Sequence, residues 1–246
     1  MTTPTPTRVT LVTGGSGGIG RASALRLAAD GHAVAVHYSG NEAKARAVVE
    51  EITGAGGRAI AVGGDVADES AMEAAFDQVE RAFGGLDAVV HTAGIMALGP
   101  VAEFDLEQFD RIVRTNLRGT FVVAQQAARR VREGGAIVTF STSVTRTSFP
   151  QYGPYVATKA AVEGLTLVLA RELRGRDVTV NTVAPGPTAT PLFLDGKDRQ
   201  TVDGLANAVP LERLGRPEDI AETVAFLAGS ARWVNGQTLF TNGGLA

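Results

Sequence analysis

A β-branched run, a glycine-rich loop and a helix-forming segment follow one another near the start of the chain, and this succession constrains the fold most. The run covers residues 9–13, the loop residues 14–20 and the helix-forming segment residues 21–29. Glycines permit a sharp turn and let main-chain N–H groups approach a phosphate at the positive end of the next helix. Such loops also occur as simple turns, but a strand before and a helix after are the context of a dinucleotide-binding unit. The sequence therefore predicts such a unit here.

Short apolar segments alternate with helical patterns along the rest of the chain. The predicted strands cover residues 34–38, 58–62, 86–90, 136–140, 178–183 and 237–241. The predicted helices cover residues 41–53, 71–83 and 107–132, a segment that ends near residue 173, and one that begins at residue 217. Buried strands that alternate with helices form parallel sheets covered on both faces. We therefore predict one α/β domain over residues 1–246, with residues 1–7 as a frayed tail.

The amino-acid composition argues against several classes of function. The net charge is −3, so no broad surface for a polyanion such as nucleic acid is expected. The chain has no cysteine, which excludes a disulfide scaffold and fits a reducing compartment, so we expect a cytoplasmic protein. The three histidines lie far apart without ligand spacing, so no metal site is expected. No apolar run approaches the roughly 20 residues of a membrane span.

The end of the second predicted strand bears on the choice of cofactor. An acidic residue there would bind the adenosine ribose of NAD, but the chain continues with Tyr38, Ser39 and Asn41. Three cations lie nearby in sequence: Arg21, Lys44 and Arg46. Polar groups without a carboxylate favour the 2′-phosphate of NADP. Against this preference, Glu42 is close, and a polar turn that merely lacks an acid is the alternative.

Tyr155 and Lys159 lie four residues apart in a helical segment, which puts them on one face of the helix. Lowering the pKa of a phenol from about 10 to about 7 takes roughly 4 kcal/mol. A unit positive charge about 4 Å away, at an effective dielectric near 20, supplies about that much. The pair therefore suits a proton donor tuned by an ammonium group. The alternative is an amphipathic helix with a lysine whose stem covers apolar surface.

Taken in order, these motifs resemble the short-chain dehydrogenase/reductase family, in the branch of 3-oxoacyl carrier-protein reductases. The resemblance covers nearly the full length: the glycine loop, Asp65, Asn116, Tyr155 with Lys159, Pro185 with Gly186, and the final Asn242-Gly243-Gly244. It implies a single-domain Rossmann fold, a doubly wound seven-stranded parallel sheet in the order 3-2-1-4-5-6-7 with helices on both faces. It also implies a homotetramer or a dimer built on the two long helices, and hydride transfer between a nicotinamide cofactor and a carbonyl or secondary alcohol.

The resemblance also implies roles for individual residues. Tyr155 is the general acid in reduction, and Lys159 lowers its pKa and holds the nicotinamide ribose. Asn116 supports a water-linked proton relay to Lys159. The hydroxyl that orients the substrate falls on Thr142 by spacing, and Ser143 takes its place if the loop is one residue shorter. Hydride delivery to a carbonyl builds alkoxide charge, which a phenol can protonate while a hydroxyl stabilises it.

The expected cofactor-binding residues follow the ends of several predicted strands. Asp65 would accept a hydrogen bond from the adenine amino group, or alternatively cap the helix that begins near Asp68. The resemblance places Thr188 and Thr190 at the carboxamide and the pyrophosphate. The family's usual Asn-Asn pair is replaced by His91 and Thr92. The full expected set is Gly14, Ser16, Gly17, Gly18, Ile19, Gly20, Tyr38, Ser39, Asn41, Asp65, Val66, Ala93, Gly94, Asn116, Tyr155, Lys159, Pro185, Gly186, Thr188 and Thr190.

NADPH-dependent reduction of a carbonyl is the first functional hypothesis, and two alternatives stay open. One is an NAD-linked alcohol dehydrogenase, and the other is a catalytically weak member that binds dinucleotide to regulate or scaffold another process. Residues 191–210 are expected to form a mobile substrate lid. An apolar pocket lining is expected from Met96, Phe149, Tyr152 and Phe193. Such a lining fits acyl thioesters, aryl ketones and steroids equally well.

A basic cluster near the end of the predicted helix over residues 107–132 raises the question of a protein partner. It consists of Arg129, Arg130 and Arg132. An acidic acyl carrier protein would complement this charge, although a solvated helix face is the simpler explanation.

Overall fold

The computed structural model describes residues 7–246. The predicted tail over residues 1–7 therefore lies outside the described residues except for Thr7. Seven strands form one sheet with parallel neighbours in the order β3-β2-β1-β4-β5-β6-β7, which confirms the predicted fold class. The strands are β1 (Val9–Thr13), β2 (Ala33–Tyr38), β3 (Arg58–Gly63), β4 (Ala88–His91), β5 (Ala136–Phe140), β6 (Thr179–Pro185) and β7 (Thr238–Thr241).

Helices cover both faces of the sheet because strand side chains alternate between two apolar cores. The helices are α1 (Gly18–Ala29), α2 (Glu42–Gly54), α3 (Glu69–Phe83), α4 (Leu106–Ile112), α5 (Gly119–Arg130), α6 (Val144–Thr147), α7 (Gly153–Glu172), α8 (Pro191–Leu194), α9 (Arg199–Ala208) and α10 (Pro217–Ala228). One core joins the sheet to α3, α5 and α7 through residues such as Phe76, Val123 and Leu169. The other joins it to α1, α2 and α10.

The predicted helix over residues 107–132 is divided in the structure. Helices α4 and α5 flank a π-helical segment, Val113–Arg118, which we call the π-turn. A π-turn widens the helical hydrogen-bond ring by one residue and is common at functional sites. Asn116 lies within it and is fully buried. The asparagine that interrupts the predicted helix therefore marks a local change of helix type.

The predicted lid segment contains two helices, α8 and α9, joined by a short connection. Leu192, Phe193 and Leu205 of this segment line the pocket that contains Tyr155. Whether the segment opens and closes stays a prediction. Among residues 7–246, no helix is long and apolar enough to cross a membrane.

Candidate active site

The glycine loop takes the conformation that the sequence predicts. Gly14 and Gly18 have positive φ angles of 67° and 50°, which side chains rarely adopt. A Cβ on Gly20 would collide with the main-chain carbonyl of Gly14. Helix α1 has no side-chain cap at Gly17 and no acidic residue in its first turn. Its positive end is therefore open to an anion such as a pyrophosphate.

A cleft extends from this loop along the carboxyl ends of β2 and β3. Its floor combines the glycine loop, the end of β2 and the residues after β3 and β4. Thr190 reaches the same cleft, with its Cγ2 3.4 Å from where a Cβ on Gly18 would stand. Most of the expected cofactor residues line it: Gly14, Ser16, Gly17, Gly18, Ile19, Gly20, Tyr38, Ser39, Asn41, Asp65, Val66, Ala93, Gly94 and Thr190. An elongated cleft of this composition fits a dinucleotide.

The three cations near the β2 end differ in their surroundings. Arg21 pairs with Glu51 at 2.5 Å, and Arg46 pairs with Glu42 at 2.6 Å. Lys44 instead lines the cleft beside Ser39 and Asn41. The pairing with Arg46 also holds the pKa of Glu42 below its ordinary value, so this carboxylate is charge-compensated. In the structure Lys44 thus lines the cleft, whereas Arg21 and Arg46 are paired with carboxylates. Sequence proximity alone does not distinguish the three cations.

Asp65 faces the cleft without capping a helix. Its Oδ1 accepts a hydrogen bond from the Ala67 N–H at 2.9 Å, and its Oδ2 pairs with Arg114 at 2.5 Å. The cap of α3 is Asp68, whose side chain accepts from the Ala71 N–H. The alternative of a capping role for Asp65 is therefore wrong, while its predicted adenine contact stays open.

A second pocket opens beside Gly94 and contains the predicted catalytic pair. Tyr155 and Lys159 both line it from α7. The Lys159 Nζ atom lies 5.7 Å from the centroid of the Tyr155 ring and donates a hydrogen bond to the Phe140 carbonyl at 3.0 Å. Gly94 packs closely against both polar groups, because a Cβ on it would stand 3.3 Å from Asn116 Oδ1 and 3.5 Å from Lys159 Nζ. The pocket and the dinucleotide cleft therefore meet at Gly94.

Burial governs the protonation of both groups. It raises the pKa of the Tyr155 phenol above its ordinary value, and the neighbouring Tyr152 adds to the increase. Burial also lowers the pKa of Lys159 to about 8. The sequence argument expected Lys159 to lower the phenol pKa, but burial has the larger influence in the structure. Tyr155 is thus a neutral phenol at pH 7, the form that donates a proton.

The three hydroxyls after β5 point to different partners. Ser141 Oγ donates to Glu163 Oε1 at 2.6 Å, and Ser143 Oγ donates to the Ala184 carbonyl of β6 at 3.3 Å. Thr142 Oγ1 accepts from the Val144 N–H at 3.3 Å, and no bond occupies its proton among the described residues. Thr142 and Ser143 both line the pocket. Only Thr142 keeps its hydroxyl proton for a ligand.

Asn116 lies below the pocket and lines neither it nor the cleft. Its side chain accepts from the Ile95 N–H at 2.8 Å and donates to the Ile95 carbonyl at 2.9 Å. It also donates to Thr158 Oγ1 at 3.3 Å. These bonds tie the π-turn to the segment after β4 and to α7. Asn116 therefore holds in place the residues that lie between the cleft and Lys159.

The loop after β6 completes the pocket wall. Pro185, Gly186 and Thr188 line the pocket, as expected for the nicotinamide end of a cofactor. Thr188 Oγ1 donates to the Gly186 carbonyl at 2.9 Å, which fixes the turn. Thr190 caps α8 by accepting from the Phe193 N–H. The loop thus runs from the pocket to the dinucleotide cleft.

The outer wall of the pocket is apolar. The expected residues Met96, Phe149, Tyr152 and Phe193 all line it. Leu205 of the expected lid lines it as well, whereas sequence reasoning missed Leu245. Leu245 lies next to the chain end, and no local pattern marks it as a pocket residue. Glu163 lies outside this lining, but sequence reasoning also missed that its carboxylate accepts hydrogen bonds from the Ser141 and Thr145 hydroxyls.

The predicted docking cluster of arginines is largely engaged within the chain. Arg130 pairs with Asp77 at 2.5 Å and with Glu80 at 2.8 Å, while Arg132 pairs with Asp87 at 2.6 Å. Arg129 is exposed. This arrangement gives little support to an acidic carrier protein at this surface.

Comparison with known proteins places the chain among reductases and dehydrogenases. The family model described as enoyl-(acyl carrier protein) reductase matches residues 14–246. A short-chain type dehydrogenase/reductase of Picea abies is 44% identical over 96% of this chain and 92% of the relative. The 3-oxoacyl-acyl-carrier-protein reductase FabG of Staphylococcus aureus is 41% identical over 97% of this chain and 98% of the relative. A short chain dehydrogenase from Burkholderia cenocepacia, solved in complex with NADP, is 40% identical with a TM-score of 0.90, over 97% of both chains.

Proposed function

The chain belongs to the short-chain dehydrogenase/reductase family, in the branch similar to 3-oxoacyl carrier-protein reductases, and we propose from its site how it works. It is an oxidoreductase that transfers a hydride between NADP(H) and a carbonyl or secondary alcohol. The observation that carries this function is one pocket, adjoining a dinucleotide cleft, that contains Tyr155, Lys159 and the free Thr142 hydroxyl. An NAD-linked alcohol dehydrogenase and a scaffold protein are less well supported.

NADP(H) fits the cleft. The uncapped start of α1 favours the pyrophosphate, and the β2 end offers Ser39 and Lys44 without a free carboxylate to repel a 2′-phosphate. When bound, the cofactor supplies the hydride for reduction. The NADP complex of the Burkholderia cenocepacia relative supports the same preference.

The side chains of the pocket then donate the proton and stabilise the negative charge that develops on the substrate oxygen. The Thr142 hydroxyl donates a hydrogen bond to the substrate oxygen, and the neutral Tyr155 phenol protonates it. Lys159, buried and held by the Phe140 carbonyl, keeps a positive charge beside the phenolate that forms. Asn116 supports the path by which a proton returns to Tyr155 through Lys159.

The substrate is a neutral ketone or aldehyde with an apolar body. The pocket lining is mainly aliphatic and aromatic, and among residues 7–246 Lys159 is the only charged side chain in it. A carboxylate or phosphate on the substrate would lose its hydration there, and the ammonium of Lys159 is already bonded to the Phe140 carbonyl. The segment 191–210 serves as the lid of this pocket. Residues 1–246 act as one domain that both binds the dinucleotide and catalyses the reaction.

The protein assembles as a homotetramer or a dimer in the cytoplasm. Several large apolar side chains are exposed on the described surface, among them Phe121 of α5 and Val168 of α7. Apolar side chains on neighbouring helices are the usual material of subunit interfaces. The cysteine-free sequence supports a reducing compartment.

The test compares wild type with Tyr155→Phe, following NADPH absorbance with a panel of neutral ketones and aldehydes. Wild type is expected to oxidise NADPH with at least one of them. Tyr155→Phe is expected to lose about 100-fold to 10,000-fold in kcat, the usual contribution of a general acid. Its NADPH binding, measured by fluorescence, should be retained. Equal rates in both proteins would rule out this function for Tyr155.

A further inference from the structure

We propose that His91 is a positioning residue, which holds the main-chain carbonyl of Asn116 through the hydroxyl of Thr120. The imidazole is 2% exposed and bridges two structural layers. Its Nδ1 lies 2.7 Å from Thr13 Oγ1 on β1, and its Nε2 lies 3.0 Å from Thr120 Oγ1 on α5. Thr120 Oγ1 in turn donates to the Asn116 carbonyl at 2.5 Å. A continuous buried chain of hydrogen bonds thus joins β1 to the π-turn.

The direction of every bond in this chain is fixed by counting protons. A threonine hydroxyl has one proton, and that of Thr120 is donated to the Asn116 carbonyl. Thr120 can therefore only accept from His91, so the histidine carries its proton on Nε2. The bare Nδ1 then accepts from the Thr13 hydroxyl. Burial, together with the charge of Lys159, lowers the pKa of His91 to about 3, in agreement with a neutral ring.

The imidazole is suited to this bridge because its two nitrogens face opposite partners. An asparagine, which the family usually has at this position, offers polar atoms only at the distance of Nδ1. It would reach Thr13 but not Thr120. The histidine therefore extends a contact within the sheet into a contact with α5. The π-turn gains a further anchor, in addition to the bonds of the Asn116 side chain to Ile95 and Thr158.

The inference rests on the proposed reduction, since it concerns the proton path to Lys159. In a π-helical segment a main-chain carbonyl faces the N–H five residues further on instead of four, so a side-chain donor such as the Thr120 hydroxyl contributes to its direction. The Thr120 hydroxyl sets the direction of the Asn116 carbonyl, and His91 sets that of the hydroxyl. A change in the direction of this carbonyl shifts Asn116, which the proposed function places on the proton path to Lys159, and therefore slows the return of a proton to Tyr155. It does not alter the apolar pocket or the glycine loop.

The first experiment uses isosteric changes at Thr120 and a matched control. Thr120→Val removes the hydroxyl, and Thr120→Ser keeps it. The control, Thr182→Val, removes a buried hydroxyl that bonds Thr139 and Thr166 between β5, β6 and α7. We expect the kcat of Thr120→Val to fall about tenfold, which corresponds to the loss of one hydrogen bond of ordinary strength. The KM values for the ketone and for NADPH should stay unchanged. Thr120→Ser and Thr182→Val should keep the wild-type kcat.

Two variants of His91 test the contacts of its two ring nitrogens separately. His91→Gln keeps a donor at the distance of Nε2, whereas His91→Asn keeps a polar atom only at that of Nδ1. The glutamine variant should therefore retain more of the wild-type kcat than the asparagine variant. The reverse order would overturn the proposal, as would a wild-type kcat in Thr120→Val or equal losses in Thr120→Val and Thr182→Val.

Nitrogen NMR of the cofactor-free protein tests the bridge independently of turnover. With His91→Gln used to assign its signals, His91 should show a protonated Nε2 and a bare Nδ1. The carbonyl carbon shift of Asn116 should move in Thr120→Val and return in Thr120→Ser. The opposite tautomer, or an unmoved shift, would refute the inference even for an active enzyme. Wild type that reduces no ketone but shows both signatures would contradict the proposed function and leave the bridge supported.

Discussion

Lys159 donates a hydrogen bond from its Nζ to the main-chain carbonyl of Phe140 at 3.0 Å. This bond joins the middle of the active-site helix to the last residue of β5. It is made by a side chain that is only 5% exposed, so the ammonium group has lost most of its water. Burying a charge is costly even when it is hydrogen-bonded. The buried position of Lys159 therefore serves proton transfer at Tyr155 and lowers the free energy of unfolding.

The first prediction is that Lys159→Met stabilises the fold while it inactivates the enzyme. At pH 7 the lysine is protonated in both the folded and the unfolded chain, and its burial costs stability. Between the folded pKa of about 8 and the unfolded value of 10.5, only the unfolded chain keeps the proton, so wild-type stability rises with pH. The variant should be more stable by about 3 kcal/mol at pH 7, and by less at pH 10.

Urea unfolding of both proteins at pH 7 and pH 10 measures this difference. Lys44→Met, at an exposed lysine, is the control and should leave the free energy of unfolding unchanged at both pH values. Equal stabilities of wild type and Lys159→Met at pH 7, or a gap that widens toward pH 10, would contradict the expected cost of burial.

The second prediction concerns which hydroxyl orients the substrate. Thr142→Val should lower kcat by about 100-fold, because a donor to the developing alkoxide is lost. Thr142→Ser should keep most of the activity. Ser143→Ala should retain activity within about tenfold and cost about 1 kcal/mol of stability, because its hydroxyl bonds the Ala184 carbonyl. Steady-state kinetics and unfolding curves of the three variants check this, and a larger kcat loss in Ser143→Ala would reverse the assignment.

The sequence predicted the sheet well because its strands are marked locally. The segment Ala136–Phe140 was predicted at its observed bounds, since glycines precede it and hydroxyl residues follow it. The π-turn was not predicted, because a shift of one residue in helical hydrogen bonding leaves no trace in composition. The sequence also did not decide whether Thr142 or Ser143 is the hydroxyl that orients the substrate. It depends on the distant Ala184 carbonyl, a contact made only in the folded chain.

The same limit applies to the charged residues around the cofactor cleft. Sequence proximity grouped Arg21 with Lys44, but the partner of Arg21 is Glu51, on the next helix. Only the packing of α1 against α2 shows that the arginine is already paired. Strand order and the glycine loop follow from local pattern and resemblance, whereas the assignment of single side chains needs tertiary contacts.

The third prediction is that Lys44 and Ser39 determine the preference for NADPH. Lys44→Ala should raise KM for NADPH by about fivefold, the worth of one exposed ion pair, and leave KM for NADH unchanged. Ser39→Asp should raise KM for NADPH further, because its carboxylate repels the 2′-phosphate. Arg21→Ala is the matched control and should change neither value. Kinetics with both cofactors measure the four proteins, and a wild type that binds NADH more tightly would refute the assignment.

The fourth prediction concerns assembly through α5. Phe121 is 54% exposed, although a phenyl ring gains about 1.5–3 kcal/mol from burial. If α5 forms a subunit interface, Phe121→Glu places a charge in an apolar contact and should reduce the molar mass in solution to that of a smaller species. Gln125→Glu, one turn further on the exposed surface of α5, adds the same charge and should assemble like wild type. Size-exclusion chromatography with light scattering measures the mass, and circular dichroism checks that the variant is folded. A folded Phe121→Glu protein with the wild-type mass would show that this face of α5 lies outside any interface.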